Sequence, residues 1–365
     1  MKILFDYDIF VRQRFGGISR YFYELINGLS CYKQITVNLF KGINNSGYDF
    51  SLIKDQINII DQKFFGTDKL HFVFNIVNEI NFKKYSKNFA SDIFHKTYYS
   101  NVGLDIASKK VITIHDMTHE LYPQYFAKSD NTSILKKKCI VESDGIVCVS
   151  ETTKNDLINN FNLNNKIIKV IYHGVTIENN NKTRKYIKEP YILYVGQRWG
   201  YKNFNMLMAA YSLSEKIKNN FKLVCFGGGG FNYSEKLYIK EHNLTNNVIY
   251  LDGDDAVLAS LYAFAEIFVY TSLYEGFGFP PLEAMKCGCP VLASAVGSVV
   301  EIVNEAAILF DPTDIEELNY KLNMLIDDSE LRNEMINRGF ERIKRFSWDN
   351  SVKEHIAFYK ELNVS

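Results

Sequence analysis

Short apolar runs alternate with longer amphipathic stretches along almost the whole chain. In the first half, these runs predict strands at KILFDY, ITVNLF, DIFHKTYY, KVITIHD, GIVCVS and IKVIYHGV. Strands of a parallel sheet that is buried on both faces are almost continuously apolar, and helices connect them. The alternation therefore predicts an α/β fold in which helices cover both faces of a parallel sheet.

A polar, Asn-rich stretch, TIENNNKTRKYIKEP, interrupts the pattern and predicts a linker near residues 178 to 189. The alternation then resumes, with strands predicted at YILYVG, FKLVCFGG, NVIYLDG, EIFVYTS, PVLASAV and AAILFD. We expect two doubly wound domains, at residues 1–180 and 190–345, that face each other across a ligand-binding cleft. Residues 346–365 are predicted to form a C-terminal helix that packs back across the cleft.

Composition disfavours several classes of protein. The chain of 365 residues has 42 basic and 42 acidic side chains, so it lacks the basic excess of a dedicated nucleic-acid binder. Its six cysteines show neither a CxxC pair nor zinc spacing, which is typical of a reduced, cytoplasmic compartment. No apolar run approaches the ~18 residues of a membrane span.

The segment YTSLYEGFGFPPLEAMKCGCPVLAS holds two carboxylates around a bent loop. Its pattern predicts a strand, a turn, a helix that begins at the prolines, and a second strand. Glu275 is then expected at the end of the first strand, and Glu283 in the first turn of the helix. The backbone N–H groups of Gly276, Phe277 and Gly278 can face an anion, and the carboxylates can accept hydrogen bonds from hydroxyl groups. A phosphorylated sugar offers both groups; the alternative is a tight turn with one solvated and one capping glutamate.

Three other strand ends carry candidate binding residues. Gly16 and Gly17 precede an amphipathic helix, where paired glycines let the backbone approach a phosphate or a sugar. His115 follows a predicted strand and can exchange hydrogen bonds near neutral pH. Arg198 and Lys202 lie between a strand and a helix, where two cations can neutralise a diphosphate. For each of them, the alternative is an ordinary turn or a solvated side chain.

Two other kinds of site are disfavoured. Gly227 to Gly230 follow a strand, but Asn232 stands where the dinucleotide fingerprint needs its last glycine, so NAD chemistry is not expected. A turn that serves a nearby ligand is the better interpretation of this glycine run. His115 and His119 are four residues apart, but His115 is expected at the end of a strand rather than in a helix, so the pair does not match a helical zinc site and we expect no metal and no cofactor.

Together, these motifs resemble those of a family 4 retaining glycosyltransferase (glycosyl transferases group 1), over nearly the full length. The strongest element is EGFGFPPLEA, which resembles the family's signature of two glutamates separated by seven residues. The order of FGGISRY, HD, VSETTKNDL, YHGV, YVG with KN, AAILFDP and FSW also follows the family. The resemblance implies the GT-B architecture, in which two Rossmann-like domains face each other across a cleft.

The resemblance also implies roles for the candidate residues of the N-terminal half and for the two cations. Gly16 and Gly17 would border the diphosphate of the donor, and Arg198 and Lys202 would bind it. His115 would contact the donor sugar near the reacting carbon.

The two glutamates receive roles from the same resemblance. Glu275 would bind hydroxyl groups of the donor sugar, with the amides after it near the phosphate or sugar, and Glu283 would hold the ribose hydroxyls. Two features depart from the family: many relatives separate the two cations by more residues than RWGYK does, and Ser298 stands where a second glycine is common.

The implied reaction moves a hexosyl group from a nucleoside diphosphate sugar to a hydroxyl, with retention at the anomeric carbon. Cations and N–H donors would stabilise the charge on the departing diphosphate, so no metal is required. GGISRY and EGFGFPP resemble bacterial surface-polysaccharide enzymes, including mannosyltransferases. GDP-mannose is therefore the first donor to test, and a glycan, lipid-linked in many relatives, is the expected acceptor. The alternatives are a sugar-nucleotide epimerase of the same architecture, which needs no acceptor, and a protein that binds a sugar nucleotide without turnover.

The stretch KLHFVFNIVNEINFKKYSKNF is apolar and ends in clustered lysines, at Lys83, Lys84 and Lys87. A helix of this kind can lie against an anionic bilayer, which predicts peripheral contact with a membrane. The alternative is a helix that packs on its own sheet and leaves its lysines in solvent.

Overall fold

A computed structural model of the protein describes residues 1–55, 57–63, 71–163, 166–177 and 184–364. The chain divides into two compact units. Unit 1 comprises Met1–Gly174 together with the C-terminal segment from Ser347, and unit 2 comprises Val175–Phe346. The predicted linker near residues 178 to 189 includes 178–183, which lie outside the described residues.

Unit 1 contains, within the described residues, a seven-stranded sheet in the order β3-β2-β1-β4-β5-β6-β7. Its neighbouring strands pair in parallel. The strands are β1 Lys2–Phe5, β2 Thr36–Asn44, β3 Ile57–Lys63, β4 Ile93–Lys96, β5 Lys109–Ile114, β6 Gly145–Cys148 and β7 Ile167–Val170. The sequence pattern missed β3, because Asn58, Asp61 and Gln62 interrupt its apolar run, and an edge strand tolerates such residues.

Helices cover both faces of this sheet. The helices before the linker are α1 Asp8–Arg12, α2 Gly17–Ser30, α3 His71–Asn88, α4 Thr118–Leu121, α5 Thr132–Glu142 and α6 Glu151–Asn160. Alternate residues of β1 serve the two faces, since Ile3 and Phe5 share a cluster with α2 whereas Leu4 packs with Phe82 of α3. Among the described residues, no helix has both the length and the hydropathy that crossing a bilayer requires.

Unit 2 contains, within the described residues, a six-stranded parallel sheet in the order β10-β9-β8-β11-β12-β13. The strands are β8 Tyr191–Val195, β9 Lys222–Phe226, β10 Val248–Leu251, β11 Ile267–Tyr270, β12 Val291–Ser294 and β13 Ile308–Phe310. The helices are α7 Phe204–Leu213, α8 Glu215–Asn220, α9 Tyr233–Glu241, α10 Asp255–Phe264, α11 Phe279–Lys286, α12 Gly297–Val303, α13 Ile315–Asp327 and α14 Ser329–Ile343. Each strand predicted in this half is present.

The last helix, α15 Trp348–Val364, belongs to unit 1 although it follows unit 2 in the chain. Its residues Val352, Ile356 and Tyr359 lie in the same apolar cluster as α2 and β1. The C-terminal helix that the sequence predicted therefore covers the α2 side of the unit 1 sheet.

A chain of buried hydrogen bonds also fastens α15 to this sheet. Nδ1 of His355 lies 2.7 Å from the carbonyl oxygen of Ser351, which can only accept, so Nδ1 donates. Burial lowers the pKa of His355 to about 4, so the ring is neutral and its Nε2 accepts from the Tyr21 hydroxyl at 2.8 Å. The Tyr21 oxygen then accepts from the Thr113 hydroxyl at 3.0 Å.

The chain continues to a second buried histidine. Because the Thr113 hydroxyl donates to Tyr21, its oxygen accepts from Nε2 of His95 at 2.8 Å. Nδ1 of His95 then accepts from the Tyr359 hydroxyl at 2.6 Å, which returns the chain to α15. Burial also holds the pKa of His95 well below its usual value. Every link is therefore a bond between neutral groups.

Candidate functional site

The two-glutamate loop of unit 2 joins β11 to α11. β11 ends at Tyr270, so Glu275 lies in the loop beyond the strand rather than at its last residue. Gly278 precedes α11 with a φ of 110°, in the left-handed region that favours glycine. The loop thus turns sharply directly before the helix begins.

Helix α11 begins at Phe279 and carries two prolines in its first turn. Pro280 and Pro281 have no N–H group, so an anion at this end would draw its donors from the loop before them. The prediction that Glu283 lies in the first turn is wrong, because Glu283 is in the second turn. It is 7% exposed, and its Oε2 accepts a hydrogen bond of 3.3 Å from the buried Tyr262 hydroxyl.

Two of the predicted residues form an ion pair. Nζ of Lys202 lies 2.6 Å from Oε1 of Glu275, and the two side chains are 19% and 14% exposed. Hydrogen bonds to backbone carbonyls of Tyr201 and Lys202 hold the turn that contains Lys202 beside the glutamate loop. The Thr271 hydroxyl donates to the Lys202 carbonyl at 2.8 Å, and the Leu273 N–H donates to the Tyr201 carbonyl at 2.7 Å.

Neighbouring side chains fix the position of Glu275. The hydroxyl of Ser298, which is fully buried in α12, donates to the Glu275 carbonyl at 2.6 Å and lies 3.2 Å from the Phe277 carbonyl. Tyr270 is hydrogen-bonded to the Glu275 side chain, and its pKa is well above the usual value because of burial and the Glu275 charge. The serine that departs from the family pattern thus supports the loop; sequence reasoning did not find this role.

Arg198 is buried and contacts protein groups on several sides. Its Nε donates to Oε1 of Glu235 at 3.0 Å, in an ion pair whose side chains are 4% and 3% exposed. Nη1 donates to the Gly227 carbonyl at 2.9 Å, and Nη2 donates to the carbonyls of Gly229 and Gly230 at 2.5 and 3.0 Å. The guanidinium therefore connects the glycine loop after β9 to helix α9; we call this arrangement the arginine clamp.

The glycine loop itself requires glycine for steric reasons. Gly227, Gly228 and Gly229 have φ values of 72°, 72° and 79°. A Cβ on Gly228 would lie 2.4 Å from the carbonyl oxygen of Gly196, so the turns after β8 and β9 pack against each other. The other end of the clamp is equally defined, since Glu235 and Asn232 form a capping box at the start of α9.

His115 follows β5 in unit 1. Its Nε2 is buried and has no hydrogen-bond partner among the residues that the structure describes. Its ring packs edge-on against Tyr21, with centroids 5.1 Å apart. The pKa of His115 is lowered to about 3, mainly by burial; the Asp116 charge opposes this shift and the Lys136 ammonium adds to it. At neutral pH, His115 is therefore a neutral group that can exchange a hydrogen bond but cannot supply a proton.

The charges beside His115 are compensated by Lys136, which the sequence did not single out. Its buried Nζ donates to the Asp116 carbonyl at 2.9 Å and to Oε2 of Glu120 at 2.7 Å. Burial alone would raise the pKa of Asp116, but Lys136 and a hydrogen bond from Thr118 bring it below its usual value. The neighbourhood of His115 thus holds fixed charges around a neutral ring.

Gly16 and Gly17 lie at the start of α2, as predicted. Gly16 is extended, with a φ of 176°, and a Cβ on it would lie 2.5 Å from Oε1 of Gln13. That oxygen accepts a hydrogen bond of 3.1 Å from the Ser19 N–H, so Gln13 caps the N-terminus of the helix. The glycine pair thus accommodates the Gln13 side chain as well as the turn.

A buried acidic cluster in unit 1 was also not predicted. Asp6 and Asp8 follow β1, and Oδ2 of Asp6 lies 3.5 Å from Nζ of the buried Lys96. The Ser100 hydroxyl donates to Asp8. Burial and the neighbouring Asp6 raise the pKa of Asp8 to about 6. The Lys96 charge therefore balances about one of the two carboxylates, and Asp8 takes up a proton at a higher pH than an ordinary aspartate.

Two family profiles match the chain and together cover most of it. The family described as "Glycosyltransferase Family 4" matches residues 15–179, and "Glycosyl transferases group 1" matches residues 175–342. The two matches meet near the division between unit 1 and unit 2.

Curated relatives and solved structures give a consistent result. The chain is 29% identical to O-antigen chain mannosyltransferase B of Escherichia coli, over 70% of this chain and 71% of that protein. It is 30% identical to uncharacterized glycosyltransferase MJ1178 of Methanocaldococcus jannaschii, over 78% and 80% of the two chains. A solved sucrose-phosphate synthase from Thermosynechococcus elongatus matches with a TM-score of 0.79 at 21% identity, over 99% and 98% of the chains. At that identity, the structural likeness shows a shared fold alone.

Proposed function

This chain belongs to the family 4 glycosyltransferases, and on that premise we propose that it is a hexosyltransferase. It would move a hexosyl group, with mannosyl as the first candidate, from a nucleoside diphosphate sugar to a hydroxyl of a growing, lipid-linked bacterial glycan. The resemblance and the GT-B class predicted from the sequence are confirmed. The mannosyl choice is supported by the name of the Escherichia coli relative. The reaction is proposed to retain the anomeric configuration.

The Lys202–Glu275 ion pair carries this proposal. It places one cation and one carboxylate 2.6 Å apart beside the loop that precedes α11. A nucleotide sugar can bind both side chains at once. Its diphosphate can pair with Lys202 in place of Glu275, and the hydroxyls of its sugar can donate hydrogen bonds to Glu275 in place of Lys202. Glu283, held by Tyr262, is proposed to accept hydrogen bonds from the ribose hydroxyls, and Gly276, Phe277 and Gly278 to lie near the phosphate or sugar.

In the proposed reaction, the bond between the anomeric carbon and the diphosphate oxygen breaks while a bond to the acceptor oxygen forms on the same face. The acceptor proton passes to the departing phosphate, so no separate base is needed. Lys202 stabilises the negative charge that grows on the diphosphate. His115, neutral because its pKa is about 3, is proposed to hold a hydroxyl of the donor sugar. Gly16 and Gly17 are proposed to border the diphosphate.

Arg198 was predicted to bind the diphosphate directly, and its contacts favour a different contribution. Its charge is paired with Glu235, and three of its N–H groups bind glycine-loop carbonyls. We therefore assign Arg198 a positioning role, in which the arginine clamp keeps the glycine loop in one conformation beside the ligand.

The test is a transfer assay with radiolabelled GDP-mannose and a lipid-linked oligosaccharide, preceded by a thermal-shift comparison of GDP, UDP and ADP. A ligand at 100 times its dissociation constant adds roughly 2.7 kcal/mol of stability, which is readily detected. We expect label in the lipid fraction and an α-linked product. Conversion of the donor without an acceptor would identify an epimerase instead. Binding without conversion of any donor would leave a sugar-nucleotide-binding protein.

A further inference from the structure

Helix α3 exposes an apolar stripe on the side opposite to its packed face. Phe82 is fully buried against Phe40 and Phe94, with ring centroids 5.5 and 5.8 Å apart. In contrast, Val73, Ile76 and Ile80 are 50%, 45% and 52% exposed. Their spacing of three and four residues places them on one stripe of the helix. The apolar part of the KLHFVFNIVNEINFKKYSKNF stretch therefore divides between core and solvent, and Lys69 and Leu70 lie outside the described residues.

Exposed lysines continue this stripe toward the C-terminus of α3. Lys83, Lys84 and Lys87 follow Ile80 at helical spacing, and all three are exposed. Lys83 is paired with Glu79 at 2.9 Å, one turn away, and Asp105 is also near it. The stripe is thus aliphatic at one end and net positive at the other.

Helix α5 repeats the arrangement. Ile134 and Val141 are 72% and 58% exposed, and a separation of seven residues places them on the same face. Lys137 and Lys138 lie between them and are exposed. The opposite face of α5 is packed, with Lys136, Cys139 and Ile140 buried.

The two stripes lie on the same side of the unit 1 sheet. In the strand order β3-β2-β1-β4-β5-β6-β7, the connections that contain α3 and α5 run in one direction, and the connection that contains α2 runs in the other. Right-handed crossovers then place α3 and α5 on one face and α2 on the opposite face. The packing agrees, since α3 shares a cluster with Leu4, whereas α2 and α15 share theirs with Ile3 and Phe5.

We propose that this face of unit 1, the α3–α5 face, docks onto an anionic lipid surface. Aliphatic side chains flanked by lysines suit the boundary between acyl chains and anionic headgroups. A protein partner fits less well, because the centres of protein interfaces are depleted in lysine and enriched in aromatic residues, whereas the two stripes carry five lysines. The docking itself is independent of the proposed transfer; only its purpose, access to a lipid-linked acceptor, rests on it.

Flotation of the full chain with vesicles tests the proposal. We expect binding to phosphatidylcholine vesicles that contain phosphatidylglycerol, loss of binding at high salt, and no binding to phosphatidylcholine alone. Replacement of Lys83, Lys84 and Lys87 by Ser should lower the partition coefficient at least about tenfold, given the usual contribution of a lysine near an anionic surface. The pair Ile76→Ser and Ile80→Ser should lower it as well.

The matched control replaces Lys33, Lys353 and Lys360 by Ser, which removes three exposed lysines from the segment after α2 and from α15, on the opposite face. Its binding should equal that of the wild type. Failure of the wild type to bind anionic vesicles, or equal binding by either α3 variant and the wild type, would overturn the proposal. So would a dimer in sedimentation that the α3 substitutions abolish. The nucleotide thermal shift should persist in all variants, which separates failure of docking from failure of the proposed function.

Discussion

Unit 1 and unit 2 both place polar side chains near the carboxyl ends of parallel strands, but the side chains differ in charge. In unit 1, the groups of interest are histidines such as His95 and His115, whose pKa values burial lowers so far that they stay neutral, although Lys136 carries a compensated charge beside His115. In unit 2, they are ion pairs, Arg198–Glu235 and Lys202–Glu275. A neutral hydrogen bond orients a group at little desolvation cost, whereas a buried ion pair must recover a large one.

The difference indicates how the two units respond to a ligand. The Lys202–Glu275 pair is partly exposed, so a ligand with both an anion and hydroxyl groups can take over both partners. The Arg198–Glu235 pair is almost fully buried, which suits a fixed part of the structure. The neutral groups of unit 1 position side chains without attracting an anion. Each of these statements can be tested separately.

The largest effect is expected at Lys202. Lys202→Ala should lower kcat by about 10²–10³, the usual loss when one group that stabilises transition-state charge is removed. The measurement is transfer at saturating donor. Lys216→Ala is the matched control, since it removes another ion-paired lysine of unit 2, whose partner is Asp327. Equal rates for the two variants would mean that Lys202 is only a solvated ion-pair partner.

His115→Ala should have the next largest effect. Loss of one buried hydrogen bond, about 1–3 kcal/mol, predicts a roughly ten- to hundredfold fall in transfer. Binding of the bare nucleoside diphosphate should be unchanged, because His115 is proposed to contact only the donor sugar, whereas Lys202 and Glu283 are proposed to bind the diphosphate and the ribose. The thermal shift by the nucleotide is the comparison. Weakened nucleotide binding with intact transfer would contradict the role assigned to the unit 1 histidine.

The arginine clamp allows a separate test of the buried ion pair in unit 2. Arg198→Lys keeps the positive charge but cannot span the four acceptors of the guanidinium. If Arg198 positions the glycine loop, both Arg198→Lys and Glu235→Gln should weaken nucleotide binding, by about tenfold for a loss of 1.4 kcal/mol. Glu241→Gln, at the exposed end of the same helix, should not. If Arg198→Lys binds normally, charge alone suffices and direct contact with the diphosphate is favoured.

The sequence predicted the elements of both units better than the contacts between distant side chains. The alternation of strands and helices predicted both sheets, because each buried strand is a local apolar run. The glycines and prolines of the glutamate loop predicted its turn. The partner of Arg198 could not be predicted, since Glu235 lies 37 residues away and contacts Arg198 only after β9 and α9 have packed. The same applies to His355 and Tyr21, which are 334 residues apart. Local patterns define elements, whereas contacts between distant polar groups depend on the packing of those elements.

The smallest expected effect is on the pH dependence of the free energy of unfolding, and it concerns the neutral histidines of unit 1. His355 and His115 have pKa values of about 4 and 3 in the folded chain, below the 6.5 of an unperturbed histidine. The unfolded chain therefore binds more protons as pH falls below about 6.5, so the free energy of unfolding should fall toward pH 4. Each such site contributes at most about 1.4 kcal/mol per pH unit. Asp8 acts in the opposite direction between its unperturbed value of 3.8 and about 6, because folding raises its pKa.

Urea unfolding can follow unit 1 alone, because the sequence has two tryptophans and only Trp348 belongs to that unit. In a Trp199→Phe background, fluorescence then reports the region around α15. We expect stability to decrease between pH 7 and pH 5, and His355→Gln to make the decrease shallower. His242→Gln, at an exposed histidine of unit 2, is the control. A pH-independent midpoint would contradict the neutral histidine chain.

The position of α15 in the chain has a consequence for synthesis. Unit 2 is continuous, so it can fold as soon as its residues leave the ribosome, whereas unit 1 waits for its last helix. At about 5–20 residues per second, the delay between Gly174 and Trp348 is on the order of ten seconds or more. During that interval, the apolar side of α2 that α15 covers stays exposed on the nascent chain. We therefore expect the first half of this protein, although made first, to mature last and to depend on chaperones while it waits.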